Sequence, residues 1–106
     1  MSLKWPNKDP DEILDYSIDW SRFLSGATIS SVTWFVDDAD GVKTELIPSG
    51  QLVNGIQLVS ATNTDTVTTA RLGSGSNNIL YQFYCRIADS NGLVVERKVR
   101  LRVRNK

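Results

Sequence analysis

Asp37, Asp38 and Asp40 put three carboxylates within four residues, the densest group of hard oxygen donors in this sequence. A calcium-type cation takes several such oxygens. The same composition, ending in Gly41, suits a solvated turn, because Asp and Gly accept the backbone angles of turns. No further ligand lies nearby, so the turn is the simpler reading and no metal site is assigned. A second acidic group, Asp11, Glu12, Asp15 and Asp19, invites a glycosidase reading. On one strand, Asp15 and Asp19 would stand about 13 Å apart. That exceeds even the inverting carboxylate spacing of about 6.5–9.5 Å. The polar outer face of a strand explains them better.

The remaining chemistry is sparse. The chain has no histidine, which removes Ser-His-Asp and Cys-His arrangements and imidazole metal sites. Its one cysteine, Cys85, cannot form an intrachain disulfide and reads as a small core residue. Gly73-Ser74-Gly75 lacks the third glycine and the lysine of a phosphate loop, and a strand pattern follows it instead of a helix. We therefore expect no catalytic residues, no cofactor and no enzymatic activity.

Two segments instead suggest contacts. In residues 97–104, RKVRLRVR, Lys98, Arg100, Arg102 and Arg104 alternate with aliphatics. On a strand this makes a cationic stripe with a charge about every 6.8 Å. It could meet an acidic protein partner, guard an edge strand against aggregation, or pair across strands with Asp15 and Asp19. Surfaces for nucleic acid interleave aromatics with their cations; here the interleaved residues are aliphatic, which argues against nucleic acid. The second segment is residues 1–11, with Pro6 and Pro10 among charges. It reads as an extended arm whose first nine residues reach at most about 30 Å. Lys4, Trp5 and Pro6 are its candidate contacts, since aromatics are enriched at interface centres. Together with Arg100, Arg102 and Arg104 they form the candidate interface.

The elements that would carry these residues are strands. In residues 14–20, LDYSIDW, every even position is large and apolar, the period of a strand with one buried face. Residues 21–24 break the pattern as a tight turn. Further strands are expected at 29–36, 42–47, 56–61, 66–72, 79–87 and 94–104, separated by Asp-, Gly-, Asn- and Pro-rich turns. Thr68, Ala70 and Leu72 should point inward, as should Tyr81, Phe83, Cys85 and Ile87. The expected fold class is all-β: an immunoglobulin-like antiparallel β-sandwich of about seven strands over residues 12–106, with the arm at 1–11. Trp34 sits where such domains keep a core tryptophan on the third strand, and Tyr81 where the sixth strand carries a tyrosine. A small jelly roll is the competing fold.

Composition sets outer bounds. At 106 residues the chain makes one domain. Its net charge is zero, yet residues 1–65 hold four basic and ten acidic side chains, −6, and residues 66–106 hold eight and two, +6. Either the two sets face each other within the domain, or they form separate patches that would let copies stack head to tail. The longest apolar runs are far too short to span a membrane, and Pro6, Asn7, Lys8 and Asp9 leave no room for a signal-peptide apolar region. An unprocessed, non-membrane protein is expected.

KDPDEILDYSIDWSRFL, followed by ISSVTWFVDDADG and closed by VRLRVR, resembles a group of short proteins encoded by tailed bacteriophages and prophages. Its members share a Lys-Asp-Pro-Asp-Glu segment, a Leu-Asp-Tyr-x-x-Asp-Trp strand, a later Thr-Trp and an Arg-rich C-terminus. Residues 42–63 depart from the shorter members. The resemblance implies a virion structural protein, first of all a capsid decoration or cement protein bound to the major capsid protein or another virion protein. It would assemble as a trimer or dimer, and reside in the capsid after synthesis in the host bacterial cytoplasm. A head–tail or tail-associated role is the alternative. Apart from the resemblance, a carbohydrate- or receptor-binding sandwich is a further alternative, for which Phe35 and Tyr84 are the outward aromatics.

Overall fold

The computed structural model describes residues 3–106, which form eight strands and one four-residue helix. In chain order these are β1 (Leu3–Lys4), β2 (Leu14–Asp19), α1 (Ser21–Leu24), β3 (Ile29–Asp37), β4 (Lys43–Leu46), β5 (Ile56–Asn63), β6 (Val67–Ser74), β7 (Ile79–Asp89) and β8 (Val94–Val103). One sheet has five strands in the order β1-β8-β7-β3-β4, and the other has three in the order β2-β6-β5. Every pairing is antiparallel except β1 with β8. This is the immunoglobulin-like sandwich, in which the pairs β3–β4, β5–β6 and β7–β8 stay within one sheet and the other connections cross between the two. The expected tight turn at residues 21–24 closes as α1, one helical turn whose Leu24 N–H bonds Trp20 O at 3.0 Å.

Alternation places the core between the sheets. Thr68, Ala70 and Leu72 of β6 are all fully buried, and Tyr81, Phe83, Cys85 and Ile87 of β7 are at most 1% exposed. Trp20 and Trp34 lie in the same core. There Trp20 Nε1 donates to Thr68 Oγ1 at 3.0 Å, whereas Trp34 Nε1 and the Tyr16 hydroxyl have no hydrogen-bond partner among the described residues. Tyr81, likened to the tyrosine of the sixth strand, ties loops together. Its hydroxyl donates to Asn54 O at 2.6 Å and accepts from Ser76 N–H at 2.8 Å, pinning two loops to the start of β7. Gly55 is required here, because its φ is +85° and a Cβ would stand 2.5 Å from Ser76 Oγ.

The expected arm is docked rather than free over the described part of its length; Met1 and Ser2 lie outside the described residues. β1 pairs in parallel with β8, Leu3 opposite Val99 and Lys4 opposite Arg100. Trp5 N–H then bonds Arg100 O at 2.9 Å, and Lys8 bridges Val103. Trp5 is only 7% exposed and belongs to the core, which corrects its reading as a surface anchor. Its ring lies 5.0 Å from Tyr16, 5.9 Å from Trp34 and 5.7 Å from Phe83, and its Nε1 donates to Ser17 O at 3.1 Å. Trp5 thus fills the space between β2 and β7, where antibody domains place their inter-sheet disulfide. The apolar gain of burying an indole outweighs exposure whenever the chain can fold back to provide the slot.

Candidate docking surface

The acidic motifs resolve into structural contacts. Asp38 Oδ1 accepts from Asp40 N–H and Val42 N–H, each at 2.9 Å, so it shapes the β3–β4 hairpin. Asp37 Oδ1 accepts from the Tyr84 hydroxyl at 2.8 Å. Among the described residues no group of three or more His, Cys, Asp or Glu side chains is placed to hold a metal. Asp15 pairs with Arg71 at 2.8 Å, and that guanidinium holds its carboxyl below the ordinary range. Asp19 accepts from Ser21 N–H at 2.9 Å. Neither meets the cationic stripe, because β2 lies in the other sheet, so the expected pairing of the stripe with Asp15 and Asp19 does not form. Burial pushes the Cys85 thiol up to about 12, far from a reactive thiolate.

Lys-Asp-Pro-Asp-Glu, residues 8–12, forms a clip on the C-terminal end. Lys8 is fully buried, and its ammonium donates to Ser74 O and Asp9 O while burial lowers its pKa. Asp9 Oδ2 accepts from Lys106 N–H at 2.8 Å, and Glu12 pairs with Lys106 Nζ at 2.8 Å. Nothing in the sequence pattern marks Lys8 as buried; its burial follows from the non-local bridge to Val103.

The outer face of the five-stranded sheet is the surface with exposed features in register. β8 turns Lys98, Arg100 and Arg102 outward, and the parallel pairing of β1 sets Lys4 beside Arg100. Leu80 of β7 lies opposite Arg102 and is 42% exposed. Lys4, Leu80, Arg100 and Arg102 line a shallow depression of about 220 Å³. Three of the six expected interface residues, Lys4, Arg100 and Arg102, therefore meet. Pro6 is exposed but does not line the depression, and Arg104, past the end of β8, donates its backbone N–H to Lys8 O at 2.8 Å. Leu80 was legible only through strand parity: it falls on the polar face of an otherwise regular alternation.

The same face carries a salted aromatic cluster beyond the depression. Glu96 takes Lys43 at 2.6 Å and Arg86 at 3.0 Å. Burial raises the Glu96 carboxyl, but the two cations outweigh it and the net shift is downward. Lys43 also stands over the rings of Phe35 and Tyr84, at 4.7 and 4.8 Å, and Arg86 over Phe35 at 4.9 Å. Tyr84, expected as an outward aromatic, is on this face but only 8% exposed. Both rings are thus covered by cations instead of forming an open stacking platform.

The chain shows no match among curated proteins. Residues 8–102 match one family model, Gp77, described as podophage GP4 fiber-tail adaptor protein gp77. The match favours the tail-associated alternative over the capsid decoration role expected first.

Proposed function

The chain belongs to the Gp77 family of podophage virion structural proteins, and on that premise we propose that it works as a non-catalytic fiber-tail adaptor. In this reading it grips a carboxylate-bearing surface within the virion with Lys4, Arg100 and Arg102 around Leu80. The observation that carries the reading is the convergence of three cations and one exposed leucine on a rigid sheet face. Guanidinium groups suit carboxylates because two parallel N–H donors match two oxygens. Exposed ion pairs contribute only about 0–1 kcal/mol each, so several of them around an apolar contact are needed for a durable joint. The glycan-binding alternative lacks a platform, since Phe35 and Tyr84 lie under Lys43 and Arg86.

The test is incorporation into tails. A phage lacking the gene is complemented with wild type or with the Arg100→Glu/Arg102→Glu double variant, and purified particles are probed for this chain and for fibers. The reading expects the variant to fold, by circular dichroism, but to be missing from particles together with the fibers. Normal incorporation of the variant would overturn it.

A further inference from the structure

The order of strands in the five-stranded sheet sets β8 and β3 on either side of β7. The basic depression lies on the β8 side, and the acidic hairpin of Asp37, Asp38 and Asp40 on the β3 side, both at the end where β8 finishes. A two-fold axis along β7 exchanges the two sides. It lays Arg100 opposite Asp37 and Arg102 opposite the hairpin tip, where Ala39, Asp40, Gly41 and Val42 are exposed. It also brings Leu80 against its own copy. Resting on the adaptor reading, we propose that the carboxylates taken by the depression belong to a second copy of this chain, docked face to face through the outer face of its five-stranded sheet.

Three observations support that occupant. The charges are complementary when the face meets itself, as an isologous contact demands. The cations that would approach one another across the axis, Arg86 with its copy and Lys43 with Lys4, are in part already neutralised, because Arg86 and Lys43 share Glu96. The size is also sufficient. The five strands hold 2, 10, 11, 9 and 4 residues, which at about 3.4 Å per residue and about 4.8 Å between strands present on the order of 600 Å² per copy. Specific stable interfaces begin at about 600 Å² per partner.

A mixing experiment tests the pairing. Arg102→Glu and Asp40→Lys each place like charges at both symmetric contacts of a homodimer. Mixed together they form a heterodimer in which both contacts are of opposite charge. Sedimentation velocity at low salt should show a concentration-dependent wild-type dimer. Each variant alone should dissociate at least about tenfold more readily, since like charges held together cost several kcal/mol. The equimolar mixture should recover the dimer, and Leu80→Cys should cross-link to itself under mild oxidation. Near-ultraviolet circular dichroism confirms that each variant is folded. A wild type that stays monomeric, or a mixture no better than its components, overturns the proposal. If Arg102→Glu fails to enter tails while the wild type is monomeric, the adaptor reading stands and the dimer falls. If Arg102→Glu loses the dimer yet enters tails normally, the dimer stands and the adaptor surface falls.

Discussion

Trp5 and Tyr16 touch with ring centroids 5.0 Å apart, but only Trp5 has its polar atom hydrogen-bonded. Trp5 fills the gap between the sheets and satisfies its own N–H on Ser17 O. Trp5→Ala should therefore destabilise the fold by about 3–5 kcal/mol, the range for truncating a large buried aromatic, as read from urea denaturation. Tyr16 is 5% exposed, and its hydroxyl is buried without a hydrogen-bond partner among the described residues. An orphaned buried hydroxyl forfeits its hydration for nothing, and burial accordingly raises its pKa to about 12. Tyr16→Phe keeps the ring and removes the orphan. It should stabilise the protein by about 1–2 kcal/mol in the same assay.

At the scale of elements, β1 is two residues long, yet it brings Trp5 into the core and Lys4 to the depression. Removing residues 1–7 should lower the melting temperature by roughly 10 °C or more, because a loss of about 3 kcal/mol moves a domain of this size by several degrees per kcal/mol. A truncated chain that melts like wild type would show that the sandwich closes without this strand. The contrast between β1 and the other strands explains what was legible. β2, β3, β6, β7 and β8 declare themselves by period two, and their inward residues follow from parity alone. The Arg ladder was visible for the same reason. Trp5 was not, because one aromatic among prolines and charges has no period, and its slot is made by Tyr16, Trp34 and Phe83 from three other strands. The joining of Lys4 to Arg100 likewise depends on a pairing 96 residues apart in sequence, which no local pattern encodes.

Across the whole molecule, the opposite charges of the two halves of the chain meet in part, Asp15 with Arg71 and Glu12 with Lys106. Lys98, Arg100 and Arg102 lie on the outer face of the five-stranded sheet, while Asp9 and Glu12 hold Lys106 where β8 ends. There, bonds from the Lys106 backbone and from Asp11 hold the Asp9 carboxyl below its usual value, and the Lys106 ammonium followed by Asp9 N–H does the same for Glu12. Folded carboxyls with depressed pKa add stability that is full above their unfolded values and lost as pH falls through the folded ones. Thermal melts between about pH 5 and pH 2 should therefore decline less steeply when Lys106 is deleted. The parallel docking of β1 on β8 has a mechanical consequence. Tension applied between Leu3 and Lys106 drags the two strands past each other along their length. The bonds of Trp5 to Arg100, Lys8 to Arg102 and Arg104 to Lys8 are then strained together in shear, not peeled one at a time. A joint between a fiber and a tail that is pulled along this axis would yield all at once, at a higher force than a hairpin opened from its end.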